Sequence, residues 1–299
     1  FSLRGAFKEE HFEMAFSDAK IAVQPPVDPD QNKYDALHYE LTLELNMNST
    51  LISNAALRMT ARVTEDGLNK AVLDFDGNNG NMNVTGVSDG NGTTLSYTMD
   101  SVNDRIRIDL PRTFNSGEEF TLEIEYNGYP SSGGVFGAPY RAETHGVAND
   151  PVIYTFSQPY GARKWWPCKD VPEDKATIEL FITVEEPYFP VTNGKLVSIE
   201  DTGSGKKLYH YSEKYPLVTY LVSICCSNYK FASDVYLAED GSTTMTVGHY
   251  LYPENFEDEK NGTIGTLEAM NLFVDLFGEY PFLDEKYVTA THNSGSGME

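Results

Sequence analysis

Cysteine is scarce in this chain of 299 residues. The three present, Cys168, Cys225 and Cys226, are too few for a disulfide framework and lack the Cys-x-x-Cys spacing that zinc or redox sites use. They read as buried thiols serving as small hydrophobic side chains. Positive charge is scarce too. Against 45 aspartates and glutamates stand 22 lysines and arginines, a formal charge of −23, so a long polyanion would be repelled and nucleic acid is not an expected partner. No apolar run approaches the roughly 20 residues of a spanning helix; the uncharged stretch Tyr215 to Tyr229 is broken by Ser, Thr and Asn, so no transmembrane segment is expected. The sequence opens on Phe1 with no charged and then apolar leader, so a signal peptide is expected to be removed or not included. The six histidines, His11, His38, His145, His210, His249 and His292, show no zinc-ligand spacing, and there is no G-x-S-x-G.

What is abundant is aromatic and alternating. Phe, Trp and Tyr make up 12% of the chain, which excludes a disordered polypeptide. Leu37, Tyr39, Leu41, Leu43 and Leu45 alternate with polar residues, as do Ile106, Ile108 and Leu110, then Phe120, Leu122, Ile124 and Tyr126, then Ile178, Leu180, Ile182 and Val184. This period of two predicts strands with one buried face, separated at hairpin distances by Gly/Asn/Asp clusters. From Thr263 to Phe277 the period turns helical: Ile264, Leu267, Met270, Val274 and Phe277 recur at three and four, Gly278 sits at the C′ position and Pro281 follows. Leu272, Phe273 and Leu276 widen the stripe beyond a surface helix's needs, so this helix is expected to lie on an apolar patch or to self-associate. Tyr287 to Thr291 reads as a strand. The expected organisation is an extension and linker over residues 1–30, with a short docking helix within 1–20, a mainly β, antiparallel domain over 31–243, and the start of an α-containing domain over 244–299.

Several short motifs fail as chemistry. Asp201-Thr202-Gly203 is a single aspartic triplet where two carboxylates would be needed, and is read as a hairpin turn. Asp74-Phe75-Asp76-Gly77-Asn78 begins like a calcium loop but has Asn79 at the sixth position and Thr85 at the twelfth, so it too is read as a turn. Four N-x-[ST] triplets, at Asn48, Asn83, Asn91 and Asn261, are glycan acceptors only if the protein is secreted by a eukaryote. Two segments resist this reading. One runs from Tyr154 through Gln158-Pro159-Tyr160-Gly161-Ala162-Arg163 and both tryptophans, Trp165 and Trp166, to Pro172. The other is the glycine-rich end Asn293-Ser294-Gly295-Ser296-Gly297-Met298-Glu299.

Together these segments resemble the M1 family of zinc aminopeptidases, the aminopeptidase N and leukotriene A4 hydrolase group. The family's Ala-Arg-x-x-x-Pro-Cys-x-Asp-x-Pro run with a following Lys-Ala is matched at Ala162, Arg163, Pro167, Cys168, Asp170, Pro172, Lys175 and Ala176. Its G-x-M-E-N exopeptidase signature is matched at Met298 and Glu299, with Gly297 at the variable position and Ser296 where Gly is usual. Tyr34 to Tyr39 resembles the family's first saddle strand, and the Gln158-to-Trp166 form resembles secreted bacterial members. The resemblance implies an antiparallel β-saddle domain followed by the truncated start of a thermolysin-like catalytic domain, secreted or periplasmic. The metal site is expected after Glu299, so zinc belongs to the full-length enzyme and none is expected on this chain. The implied reaction is metal-assisted removal of single N-terminal residues from peptides, with zinc polarising the scissile carbonyl and a Glu activating water.

The chemistry of the two segments then becomes specific. A free α-ammonium, with a pKa of about 7.7 to 8.0, is mostly charged at neutral pH and offers three donors, which a carboxylate and an amide oxygen can accept. The substrate-binding set is therefore Gln158, Glu299, Met298 and Gly297, whose missing Cβ permits close approach of the backbone. Peptide substrates with a free N-terminus are the expected partners. Arg163 and Asp170 are read as structural, holding the loop that presents Gln158, and Cys168 as packed. The alternative is a noncatalytic β-rich binding or scaffold module derived from the same fold.

Overall fold

The structure, a computed structural model, describes residues 25–77, 81–133, 137–262 and 264–293. The docking helix expected within residues 1–20 and the anchor residues Gly297, Met298 and Glu299 lie outside them. The period-two segments form four sheets, with strands numbered here in chain order. The largest has the spatial order β12 (Lys195–Gly203), β13 (Lys206–Leu217), β10 (Ala176–Glu185), β1 (Tyr34–Leu45), β2 (Ile52–Val63), β7 (Glu119–Tyr129), β4 (Asn81–Asp89). A second is ordered β11 (Phe189–Thr192), β14 (Ile224–Ser227), β9 (Asp150–Thr155), β8 (Tyr140–His145), and a third β3 (Leu68–Asp74), β6 (Arg105–Phe114), β5 (Tyr97–Asp100). The fourth is β15 (Lys230–Leu237), β16 (Thr244–Leu251), β17 (Tyr287–Ala290).

Alternation becomes burial because successive side chains leave opposite faces of a strand. Leu41, Leu43, Leu45, Phe120, Leu122, Ile124, Ile178, Leu180 and Ile182 are all buried, and one continuous core joins the first three sheets. In β1 the buried parity switches: Tyr34 and Ala36 point inward, a register shift follows between Ala36 and His38, and Tyr39 onward continues the buried face. Leu37, expected in the stripe, is left half-buried at that irregularity. Two pairings are parallel, β1 with β10 and β16 with β17, and the other described pairings are antiparallel. The turn read at Asp201-Thr202-Gly203 joins β12 to β13, with Gly203, Ser204 and Gly205 at φ +83°, +57° and +74°.

The fourth sheet and the helices form a second cluster. After β16 come α1 (Phe256–Gly262) and α2 (Ile264–Phe277), and α2 ends where Gly278, at φ +91°, donates its N–H to the Val274 carbonyl at 2.8 Å. Met270 and Val274 pack on Tyr236, Met245 and Val247. The expected boundary at 243/244 falls in the turn between β15 and β16, two strands paired along their whole length; sheet membership groups the chain from Lys230 onward. No described helix is long and apolar enough to cross a membrane. Only one stripe of α2 is covered, and Leu272, Phe273, Leu276 and Phe277 are 55 to 81% exposed.

That asymmetry is testable by urea unfolding. Met270→Ala should cost about 2–5 kcal/mol by opening a cavity, whereas Leu272→Glu with Leu276→Glu should shift stability by no more than about 0.5 kcal/mol each, as for exposed sites.

Candidate functional site

The segment after β9 doubles back on itself, and its aromatic residues are the reason. Trp165 and Trp166 are fully buried: the Trp165 indole N–H donates to Ser157 Oγ at 3.0 Å, and Trp166 meets the Tyr39 ring edge-on at 5.2 Å. Gly161 closes the turn by donating to the Ser157 carbonyl at 2.7 Å, and a Cβ there would lie 2.9 Å from the Pro139 ring and 3.0 Å from that same carbonyl oxygen. Only glycine fits this approach.

The loop is tied to β3 by a buried ionic network. Arg163 donates through Nε to Asp170 Oδ2 at 3.0 Å and through Nη1 to Asp74 Oδ1 at 3.0 Å. The other Asp74 oxygen accepts from the Asp170 backbone N–H at 3.0 Å and from Gln31 Nε2 at 2.8 Å, while Arg105 Nε reaches Asp74 Oδ1 at 3.2 Å. Thr219 donates to the outer Asp170 oxygen at 2.8 Å. Burial pushes the Asp170 carboxyl above its usual range despite the pull of Arg163. Arg163 and Asp170 thus hold the Gln158 loop, as their residue types suggested. Cys168 is buried, its thiol pushed up by burial. Asp74 and Asp76, read from sequence as turn residues, are both about 1% exposed and act as buried acceptors. The available signal was the apolar run Ala71-Val72-Leu73 before them with Phe75 between, a place where an unpaired carboxylate could not survive.

A cavity of about 420 Å³ opens beside this loop, between β9, β14 and the β11–β12 turn on one side and residues 285–292 on the other. Gln158 lines it, and its side-chain oxygen is buried with no hydrogen-bond partner among the described residues. Glu285 lines it as well: one carboxylate oxygen accepts from the Lys214 N–H at 3.3 Å and the other is buried with no partner among the described residues. Lys286 closes the wall by donating to the carbonyls of Thr192, at 2.8 Å, and Gly194, with its ammonium 5.4 Å from the Tyr211 ring centroid. Burial lowers the Lys286 amine to about 8, against the pull of Glu285 and Glu213, and raises the Glu213 carboxyl. His292 stacks on Tyr154 at 4.8 Å, and burial lowers its imidazole. The cavity thus presents buried acceptors without donors among the described residues, a surface suited to a cation with several N–H groups.

Of the residues expected to bind substrate, Gln158 is on this wall, and the chain leading to Glu299 passes it at Ala290 and His292. Sequence reasoning missed Glu213, Glu285 and Lys286, which carry no motif. Among the described residues no group of three or more His, Cys, Asp or Glu is placed to hold a metal ion, so the residues present do not fit a zinc site and no step through a metal can be derived from them.

Comparisons with known proteins converge. The family model for the Peptidase M1 N-terminal domain matches residues 35–221. A glutamyl aminopeptidase of Rattus norvegicus is 27% identical over 169 residues, 56% of this chain and 17% of that protein, so the chain spans a minor part of this relative's length. An M1 zinc metallopeptidase mutant from Deinococcus radiodurans, solved with a Tyr-Ser-Ala substrate, superposes with a TM-score of 0.65 at 21% identity, covering 87% of this chain and 56% of that one. Legionella pneumophila aminopeptidase A, in complex with aspartic acid, superposes with a TM-score of 0.69 at 18% identity, covering 86% and 28%. These likenesses show a shared fold.

Two outcomes follow from the site's electrostatics. Asp74→Asn leaves Arg163 and Arg105 buried without their shared anion and should cost about 3–5 kcal/mol; breaking the exposed Arg62–Glu119 pair should cost about 1 kcal/mol or less. Urea unfolding measures both. For Lys286, the folded amine titrates at about 8, below the ordinary 10.5, so the unfolded chain binds more protons across that window. Stability contributed at this group should therefore rise as pH climbs through it. The slope of unfolding free energy against pH over that window should be smaller in Lys286→Met, and equal slopes would exclude the buried titration.

Proposed function

Because the chain belongs to the M1 peptidase family through its N-terminal domain, we propose that it supplies the amine-binding wall of an aminopeptidase that removes single N-terminal residues from peptides, zinc being held by residues other than those described. The observation that supports this reading is the Gln158 side-chain oxygen, buried on the wall of a polar cavity with no partner among the described residues. A buried acceptor without a donor costs free energy that a ligand N–H can recover on binding. A peptide α-ammonium supplies three such donors, and the net charge of −23 favours approach of a cation.

In this reading the chain's own groups position and do not react. Gln158 accepts one ammonium N–H. Glu299, reached by the glycine-rich segment beyond β17, accepts another as a charge-assisted bond, and Met298 and Gly297 shape the backbone beside it. Holding the amine sets the register of the peptide, so that only its first peptide bond reaches the reacting centre. Lys286 and the Asp74–Arg163–Asp170 network keep the two walls of the cavity fixed. The acidity of the chain and its likeness to secreted members also favour an exported enzyme.

In the full-length protein, Gln158→Ala and Glu299→Gln should each lower kcat/KM for substrates with a free N-terminus by roughly ten- to a hundredfold, the loss of a hydrogen bond to a charged group of about 1.5–3 kcal/mol. N-acetylated analogues, which carry no ammonium, should lose much less. Equal losses on both substrate types would remove these residues from amine binding.

A further inference from the structure

Outside the cavity, one cluster has the connectivity of a nucleophilic triad. His145, the last residue of β8, places Nδ1 2.8 Å from Glu254 Oε1 and Nε2 2.9 Å from Ser227 Oγ. Hydrolytic chemistry is ruled out by the serine itself. Ser227 is fully buried, and its hydroxyl lies 2.8 Å from the Pro151 carbonyl oxygen, a contact that is favourable only with the hydroxyl proton between them. The serine proton is committed to Pro151, so Nε2 must donate and not accept. On the other side Nδ1 faces a carboxylate. Both ring nitrogens therefore meet acceptors, and the form that satisfies both is the doubly protonated imidazolium.

The surroundings fit a cation. The His145 ring stacks on Tyr252 at 3.6 Å between centroids and 7° between planes. Glu254 faces it from the turn after β16, Asp150 stands opposite it in the β8–β9 register, and Ser227 approaches from β14. Burial works against the Glu254 charge, yet the hydrogen bond from His145 holds its carboxyl below the usual range. Gly146, at φ +62°, leaves room for that carboxylate, since a Cβ there would lie 2.6 Å from Glu254 Oε1.

The same cluster holds the exit of β17. Tyr252 donates its hydroxyl to Asn293 Oδ1 at 3.2 Å, and Asn293 donates through Nδ2 to the carbonyl of Thr144, next to His145, at 2.7 Å. Tyr229, stacked on Tyr252 at 5.8 Å, donates to the Thr291 carbonyl at 2.7 Å. We propose that His145 is a protonation-dependent positioning residue: as an imidazolium it latches the β8 edge to the turn after β16 and so fixes where the chain leaves β17 at residues 291–293. Loss of the Nε2 proton leaves either Nε2 or the Pro151 carbonyl without a donor, loss of the Nδ1 proton leaves two acceptors facing each other at Glu254, and either way the latch loosens. The latch stands on its own geometry; that it sets the approach of Glu299 to an ammonium rests on the function proposed above.

Two measurements on the chain itself, with no peptide present, test the latch separately from that function. In ¹⁵N-histidine-labelled protein, with His145 assigned by comparison with His145→Gln, both ring nitrogens should carry protons at about pH 6. A single neutral tautomer there would overturn the proposal. Hydrogen exchange of the amides of residues 291–293, corrected for intrinsic rates, should speed up at least about threefold between about pH 6 and pH 8.5. In Glu254→Gln, which keeps the shape and removes the charge, exchange should already be fast at the lower pH. Protection that is the same at both pH values in the unaltered chain would show that His145 only packs, and would also overturn the latch.

Discussion

The carboxylate of Asp74 is buried at the end of β3 with two guanidinium groups, a carboxamide and a backbone N–H directed at its two oxygens. The donors come from three stretches of chain besides β3 itself: Gln31 precedes β1, Arg105 begins β6, and Arg163 and Asp170 belong to the loop after β9. A buried carboxylate is tolerable only when its lone pairs are satisfied, so the four segments must be in register at once or the charge is stranded. The network also balances itself, because Asp170 returns a carboxylate to Arg163 and Asp28 lies against Arg105 and Arg107. What is placed most rigidly by this arrangement is the loop that carries both tryptophans and Gln158.

From there the cavity's geometry is a consequence. With Trp165 and Trp166 locked in the core, the chain between Ser157 and Gly161 has little freedom, and Gln158 is left against a wall where no donor among the described residues reaches its oxygen. The opposite wall is held by a different device: Lys286 caps the carbonyls of Thr192 and Gly194, pinning the start of β17 to the β11–β12 turn. Strand β9 joins the two halves because it is buried on both faces, with Ile153 in the large core and Val152 and Tyr154 against Tyr252. If the cavity binds an amine as proposed, such rigid supports are needed, since an error of an ångström in an acceptor's position weakens the hydrogen bond it would form.

Two buried polar clusters in this chain use similar groups to different ends. Around Asp74 the ion pairs are nearly inaccessible, which suits a fixed register. Around His145 the Glu254 side chain is one-third exposed and its partner is an imidazole, the kind of side chain whose charge changes nearest neutral pH. One holds the first β unit together, and the other ties that unit to the strand that leaves it.

The sequence by itself determined the strands and the helix, and it nominated the candidate anchor. Leu41, Phe120 and Ile178 announce buried faces because period two is a property of a single strand, whatever it pairs with. Met270 and Val274, with Gly278 after them, announce α2 for the same local reason. Gln158 was legible through the motif around Arg163 and Cys168, an unusual density of constrained residue types. Partners were decided only by the tertiary structure. The parallel pairing of β1 with β10 leaves no trace in either strand's alternation, and the Asp74-Phe75-Asp76-Gly77 stretch looks like a turn because its function depends on Arg163, 89 positions away. Glu285, Lys286 and the His145–Ser227–Glu254 chain were silent for the same reason: a local pattern records which face a residue presents, whereas the donor or acceptor it meets there is set by segments brought together only when the core closes.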